Sequence, residues 1–111
     1  MTMSIDVRIV LHASPSDWNN AHDCTAGPCT IWTEQDGDER VVAMNFRAAA
    51  SADFGTLAVE RICAAFGGDV YWNGELLEGF DTPATPADKL VPVLDALCTE
   101  LDKQAEAARL A

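Results

Sequence analysis

The sequence predicts an α+β fold: a two-layer domain with an antiparallel sheet of about five strands in the order β-β-β-α-β-β-α and two helices on one face. Three observations carry the prediction. Residues 4–13 alternate apolar and polar with period two. Two turn pairs, Asp36-Gly37 and Asn73-Gly74, each separate runs of strand-forming residues. Two further stretches, 53–66 and 86–108, repeat apolar residues at helical spacing.

The first strand places Ile5, Val7, Ile9 and Leu11 on one face and Asp6, Arg8, Val10 and His12 on the other. Residues 14–29 then read as a long loop, with the turn-forming run Ser14-Pro15-Ser16-Asp17 and the breaker Gly27-Pro28. Loops of that length in a compact domain are uncommon and often functional. Residues 30–47 read as a hairpin turning at Asp36-Gly37, which sets Ile31 near Val42 and Trp32 near Val41. Ile31, Val42, Met44 and Phe46 form its core face; Trp32, Glu34, Glu39, Val41 and Asn45 lie on the other. A tryptophan on that second face is too large to leave bare without a reason.

The first helix is capped by Ser51 or Asp53, buries Phe54, Leu57, Ala58, Ile62 and Ala65, and stops at Gly67-Gly68. Val70-Tyr71-Trp72 then turns through Asn73-Gly74 into Glu75-Leu76-Leu77, with Val70, Trp72 and Leu77 on the core face. Thr85-Pro86-Ala87-Asp88 has the form of a helix start, with a capping hydroxyl, proline at the first position and an acid three residues on. Leu90, Leu94, Leu97, Leu101, Ala105 and Ala108 mark the buried face of that second helix, and Pro92 within it is expected to kink or restart the helix.

Composition bounds the function. The 111 residues make one domain, with enough chain for a core that needs neither metal nor disulfide. The net charge is −11, from 7 Lys and Arg against 18 Asp and Glu. Such a chain is repelled by phosphate backbones and anionic membranes, so direct nucleic-acid or membrane binding is not expected. The excess is not a tail: residues 1–68 hold nine acids and four bases, and residues 69–111 nine acids and three bases. The start of the chain lacks the basic and apolar regions of a secretory signal, which points to the cytoplasm and to cysteines held as thiols. Five arginines against two lysines and abundant alanine fit a GC-rich bacterial or phage source.

The one cluster of metal-ligand types is His12, His22, Cys24 and Cys29. Imidazole and thiolate are zinc's preferred donors and four complete a tetrahedron, although His22-x-Cys24 and Cys24-x4-Cys29 do not match the tight pairs of zinc knuckles. Two alternatives stand beside it: a Cys24–Cys29 disulfide closing the turn over Gly27-Pro28, and plain burial of each thiol. Cys63 and Cys98 sit on helical apolar stripes and read as core. No Gly-rich phosphate loop, nucleophile elbow or His-Glu metal helix is present, so no enzymatic activity is expected.

The expected function is therefore non-catalytic protein binding, with the acidic surface docking on a basic, nucleic-acid-binding surface of a protein partner. The residues expected to carry it are Trp32 with the hairpin acids Glu34, Asp36, Asp38 and Glu39, then Glu75 and Glu78, then Asp95 and Asp102. In size and charge the chain is similar to immunity proteins and to phage inhibitors of host defence such as anti-CRISPR proteins. That similarity implies an inhibitor acting as a nucleic-acid mimic. Two alternatives are a dimeric chaperone or adaptor, with the Leu90–Leu101 stripe as its seam, and a small zinc domain built on the four-residue cluster. Monomer and homodimer are both compatible with the sequence.

Overall fold

The computed structural model describes residues 4–20, 23–26, 29–47 and 52–110. Strands β1 (Ser4–Leu11), β2 (Cys24–Ala26), β3 (Cys29–Asp36), β4 (Glu39–Arg47), β5 (Gly68–Trp72) and β6 (Glu75–Phe80) form one sheet. Its order is β2-β3-β4-β1-β5-β6, and every neighbouring pair is antiparallel. Helices α1 (Ala52–Phe66) and α2 (Val91–Leu110) share a single core with one sheet face. The class is α+β as expected, with one strand more than the alternation shows. The extra strand, β2, is a three-residue segment inside the stretch read as loop.

β4 and β1 lie at the centre of the sheet, each paired on both sides. Val7 and Ile9 have no exposed surface, and they pair with Met44 and Val42 of β4 on one side and Trp72 and Val70 of β5 on the other. Phe46, Ile31 and Cys29 extend the same face toward β2. α1 covers it with Ala58, Val59, Ile62, Cys63 and Phe66, and α2 with Leu94, Leu97, Cys98 and Leu101, joined by Leu90 just before it. The leucine stripe thus faces this core. Trp18, in a turn of 3-10 helix at Trp18–Asn20, is also core, at 8% exposed. Trp72 is half-buried and meets Phe46 edge-on, with ring centroids 5.7 Å apart.

Several local expectations change. The β3–β4 turn is Gly37-Asp38, with Asp36 opposite Glu39 and Gly37 at φ +61°. A positive φ at the first central residue is the requirement of a type II′ turn, which glycine meets without strain. The pairing is shifted by two residues, so Trp32 faces Ala43 and Ile31 faces Met44. Because side chains alternate with period two, the faces themselves are unchanged. The Asn73-Gly74 turn forms as expected, with both residues at positive φ. A bulge between Val70 and Tyr71 in the β5–β6 ladder then pairs Tyr71 with Leu76 and Val70 with Glu78. Leu77 becomes the extra residue and leaves the core face, and it is 64% exposed; Leu76, opposite Tyr71 on the other face, is 61% exposed.

α1 starts at Ala52 and ends where the Gly67 amide donates to the Cys63 carbonyl at 2.8 Å; Ser51 lies outside the described residues. α2 starts at Val91, not near Thr85, which places Pro92 in its first turn, where a missing amide costs nothing. The Asp17 carboxylate, from the loop after β1, accepts the part-buried Leu90 and Val91 amides at the start of the helix. No described helix is long and apolar enough to cross a membrane.

Candidate functional site

One face of the sheet carries both helices; the other is uncovered by any described element. The register sets out its side chains in rows. Thr30, Asn45 and Asp6 form the first row. Trp32, Ala43, Arg8 and Tyr71 form the second, and Glu34, Val41, Val10 and Asp69 the third.

Polar groups on this face are largely tied to one another. Asn45 Nδ2 donates to Asp6 Oδ1 at 2.5 Å, and the Asp6 amide donates to Asn73 Oδ1 at 2.9 Å, which anchors the second hairpin turn to β1. Arg8 forms an ion pair with Glu34 diagonally across β4. His12 Nε2 lies 3.1 Å from Asp69 Oδ1. Ala43, between Arg8 and Trp32, is 1% exposed although no helix covers it. Trp32, its neighbour on β3, is half-buried. An open depression of about 510 Å³ runs beside Asp6, Arg8, Trp32, Ala43, Asn73 and Gly74.

The residues expected to bind a partner fall in three places. Trp32 and Glu34 lie on the uncovered face, and Asp36, Asp38 and Glu39 stand exposed at the adjoining β3–β4 tip. Glu75 and Glu78 are exposed on β6, at the far edge of the sheet. Asp95 and Asp102 are exposed on α2, in the helical layer behind the sheet. The sheet separates that last pair from Trp32, so the acids coat the molecule and do not form one patch. Glu100 pairs with Arg61 of α1 at 3.0 Å, not with Lys103 one turn on. Missing from the expectation were Asp6, Asn45 and Asp69. The alternation of residues 4–13 holds the signal for Asp6, but only the strand order brings the other two beside it.

The zinc set does not assemble. Cys24 is disulfide-bonded to Cys98, joining the short edge strand β2 to α2. Cys29 is fully buried on β3. His12 lies beyond the end of β1, three strands from β2, which at the usual strand spacing is about 14 Å. It also lies on the opposite face from Cys24, and His22 falls outside the described residues. Among the described residues no group of three or more His, Cys, Asp or Glu could hold a metal ion. The expectation of four free thiols is corrected as well: Cys29 and Cys63 alone are free. Burial pushes the Cys29 thiol up to about 11. Burial, then Glu78 and Asp69, does the same for Cys63. Both are protonated at neutral pH and are poor nucleophiles.

A groove of about 460 Å³ between the helices is lined by Ala64, Ala65, Pro92, Val93 and Leu97, with the Arg61–Glu100 pair at its rim. It offers no thiol, imidazole or hydroxyl to a substrate. Set against known protein families, curated proteins and solved structures, the chain matches none.

Proposed function

We propose that the protein is a non-catalytic, acidic binding domain that docks on a basic surface of a protein partner and blocks it, in the manner of an inhibitor or immunity protein. The observation that carries the reading is the half-buried Trp32 on an uncovered sheet face, with Glu34 in its strand and Asp36, Asp38 and Glu39 at the adjoining tip. An aromatic side chain with acids farther along its strand and at the strand's tip is the composition of a docking anchor: the ring supplies desolvated area and the charges supply steering. A nucleic-acid-binding protein must present positive potential, and a chain of net charge −11 competes for it. The interface uses one side of the molecule, so Asp95 and Asp102 contribute to the long-range field and not to contact.

The proposal places the protein in the cytoplasm of a bacterial or phage-infected cell. The Cys24–Cys98 bond weighs the other way, because reducing cytosol keeps such pairs open. Thiol titration of protein recovered from cells decides between the two.

The test is capture of partners on the immobilised protein, with Trp32→Ala and Glu34→Lys variants in parallel. The expected result is a protein with a basic surface that elutes as salt rises, is lost with either variant, and is displaced by its own nucleic acid. Capture that neither salt nor the variants weaken would sink the reading.

A further inference from the structure

β6 ends the sheet, and among the described residues nothing pairs with its outer side. Five of its six residues are exposed, and two of them are leucines: Leu76, opposite Tyr71 on the uncovered face, and Leu77, which the bulge displaces. An open edge presents unpaired main-chain donors and acceptors, a template for an added strand. The opposite edge is protected differently: β2 is three residues long and bonded to α2 through Cys24.

The charges along β6 select the occupant. Glu75 and Glu78 bracket the two leucines, and Asp81 follows the strand. Asp69 adds a fourth carboxylate, since a Cβ at Gly79 would lie 3.0 Å from Asp69 Oδ1. No lysine or arginine occurs between Gly68 and Lys89. A second copy of the chain is disfavoured, because antiparallel pairing of β6 with itself brings Glu75 and Glu78 of one chain beside those of the other. A basic strand meets the same carboxylates with opposite charge.

We propose that β6 accepts an extended basic segment of a protein partner as a seventh, edge strand, with apolar residues of the segment against Leu76 and Leu77 and its lysines or arginines against Glu75 and Glu78. The basic character of the partner rests on the function proposed above. The surface is a different one, so the partner is held at the β6 edge as well as at the Trp32 face.

The test uses a short capped peptide of alternating lysine and valine, and the same peptide N-methylated at every second residue. N-methylation keeps charge and side chains but removes the donors that a strand must supply. The expected result is slowed amide exchange at Leu76–Gly79 with the plain peptide, and binding about tenfold weaker or worse with the N-methylated one. Glu75→Lys with Glu78→Lys, both at exposed positions, abolishes binding, whereas Trp32→Ala leaves it unchanged. Equal binding of the two peptides overturns edge pairing and leaves electrostatic attachment alone. Protection at the Trp32 face with none at β6, or no binding at all, overturns it too. None of these results touches partner capture through Trp32, which fails only in the salt and variant experiment above.

Discussion

Asp17 caps a helix that begins more than seventy residues later: its carboxylate accepts the Leu90 amide at 2.6 Å and the Val91 amide at 3.0 Å. The contact joins the loop after β1 to the start of α2, and the Ser16 amide reinforces it by donating to the Asp88 carbonyl at 2.7 Å. Burial raises the acid's pKa, but the two amides and Lys89 outweigh it, and the Asp17 carboxyl is held below its usual value. Asp17→Ala is expected to cost about 1 kcal/mol, the ordinary loss for a helix cap. A depressed carboxyl adds stability above its unfolded pKa and gives it up as pH falls through the lower, folded value. Urea unfolding at a series of acidic pH values should therefore show a smaller acid-side loss for Asp17→Asn than for the parent.

The Cys24–Cys98 bond closes a loop with a sequence separation of 74. Cross-links of that span typically stabilise by about 2–4 kcal/mol, chiefly by restricting the unfolded chain. Cys98→Ala should lower stability by that amount and free β2 first. Thiol titration gives a direct count: native protein shows no fast-reacting thiol, unfolded protein shows Cys29 and Cys63, and unfolding with reductant shows all four cysteines. Four reactive thiols without reductant would contradict the pairing.

Gly55 on α1 sits against Phe46. A Cβ built there lies 2.3 Å from Phe46 Cζ, and Phe46 is fully buried against Trp72. Replacing a helical glycine by alanine ordinarily gains about 1 kcal/mol. Here the sign reverses, and Gly55→Ala should cost about 1–3 kcal/mol by overpacking. Phe46→Leu in the same chain should recover part of the loss, which a thermal-unfolding double-mutant cycle measures.

The register places the basic Arg8 among the acids of the uncovered face. Its pair with Glu34 is solvent-exposed, and such pairs contribute about 0–1 kcal/mol. Arg8→Ala should therefore change stability little. It makes the face more negative, so association with a basic partner should speed up while its salt dependence steepens. Stopped-flow association rates at two ionic strengths test this, and an unchanged rate would show that the partner does not approach this face.

Much of the fold was legible in local chemistry. Alternation of Ile5, Val7, Ile9 and Leu11 against Asp6, Arg8 and Val10 identified the first strand and its faces. Asn73-Gly74 identified the second hairpin with its turn. Of the helical stripes, Ala58 and Ile62 and the four leucines Leu90, Leu94, Leu97 and Leu101 are core. The misreadings have specific causes. The β3–β4 turn moved by one residue because Asp36-Gly37 and Gly37-Asp38 both suit a tight turn, and the strand pairing chooses between them. Leu77 was placed in the core because nothing local reveals a bulge. Thr85 resembled a cap because it has a cap's chemistry, yet the carboxylate that reaches α2 is Asp17.

The candidate site was less legible. Trp32 and Glu34 were recognised from one strand's alternation, and the structure keeps them together with the hairpin-tip acids. Asp95 and Asp102 belonged to the same expectation, but the sheet stands between them and Trp32. The sequence by itself determined the class, the charge and which residues face the core, because periodicity and composition act over neighbouring residues. Only the tertiary structure decided that Cys24 joins Cys98, that Asp17 caps α2, and that the acids surround the molecule. Those relations depend on strand order and on which helix end meets which loop, contacts between residues far apart in the chain that no local pattern encodes.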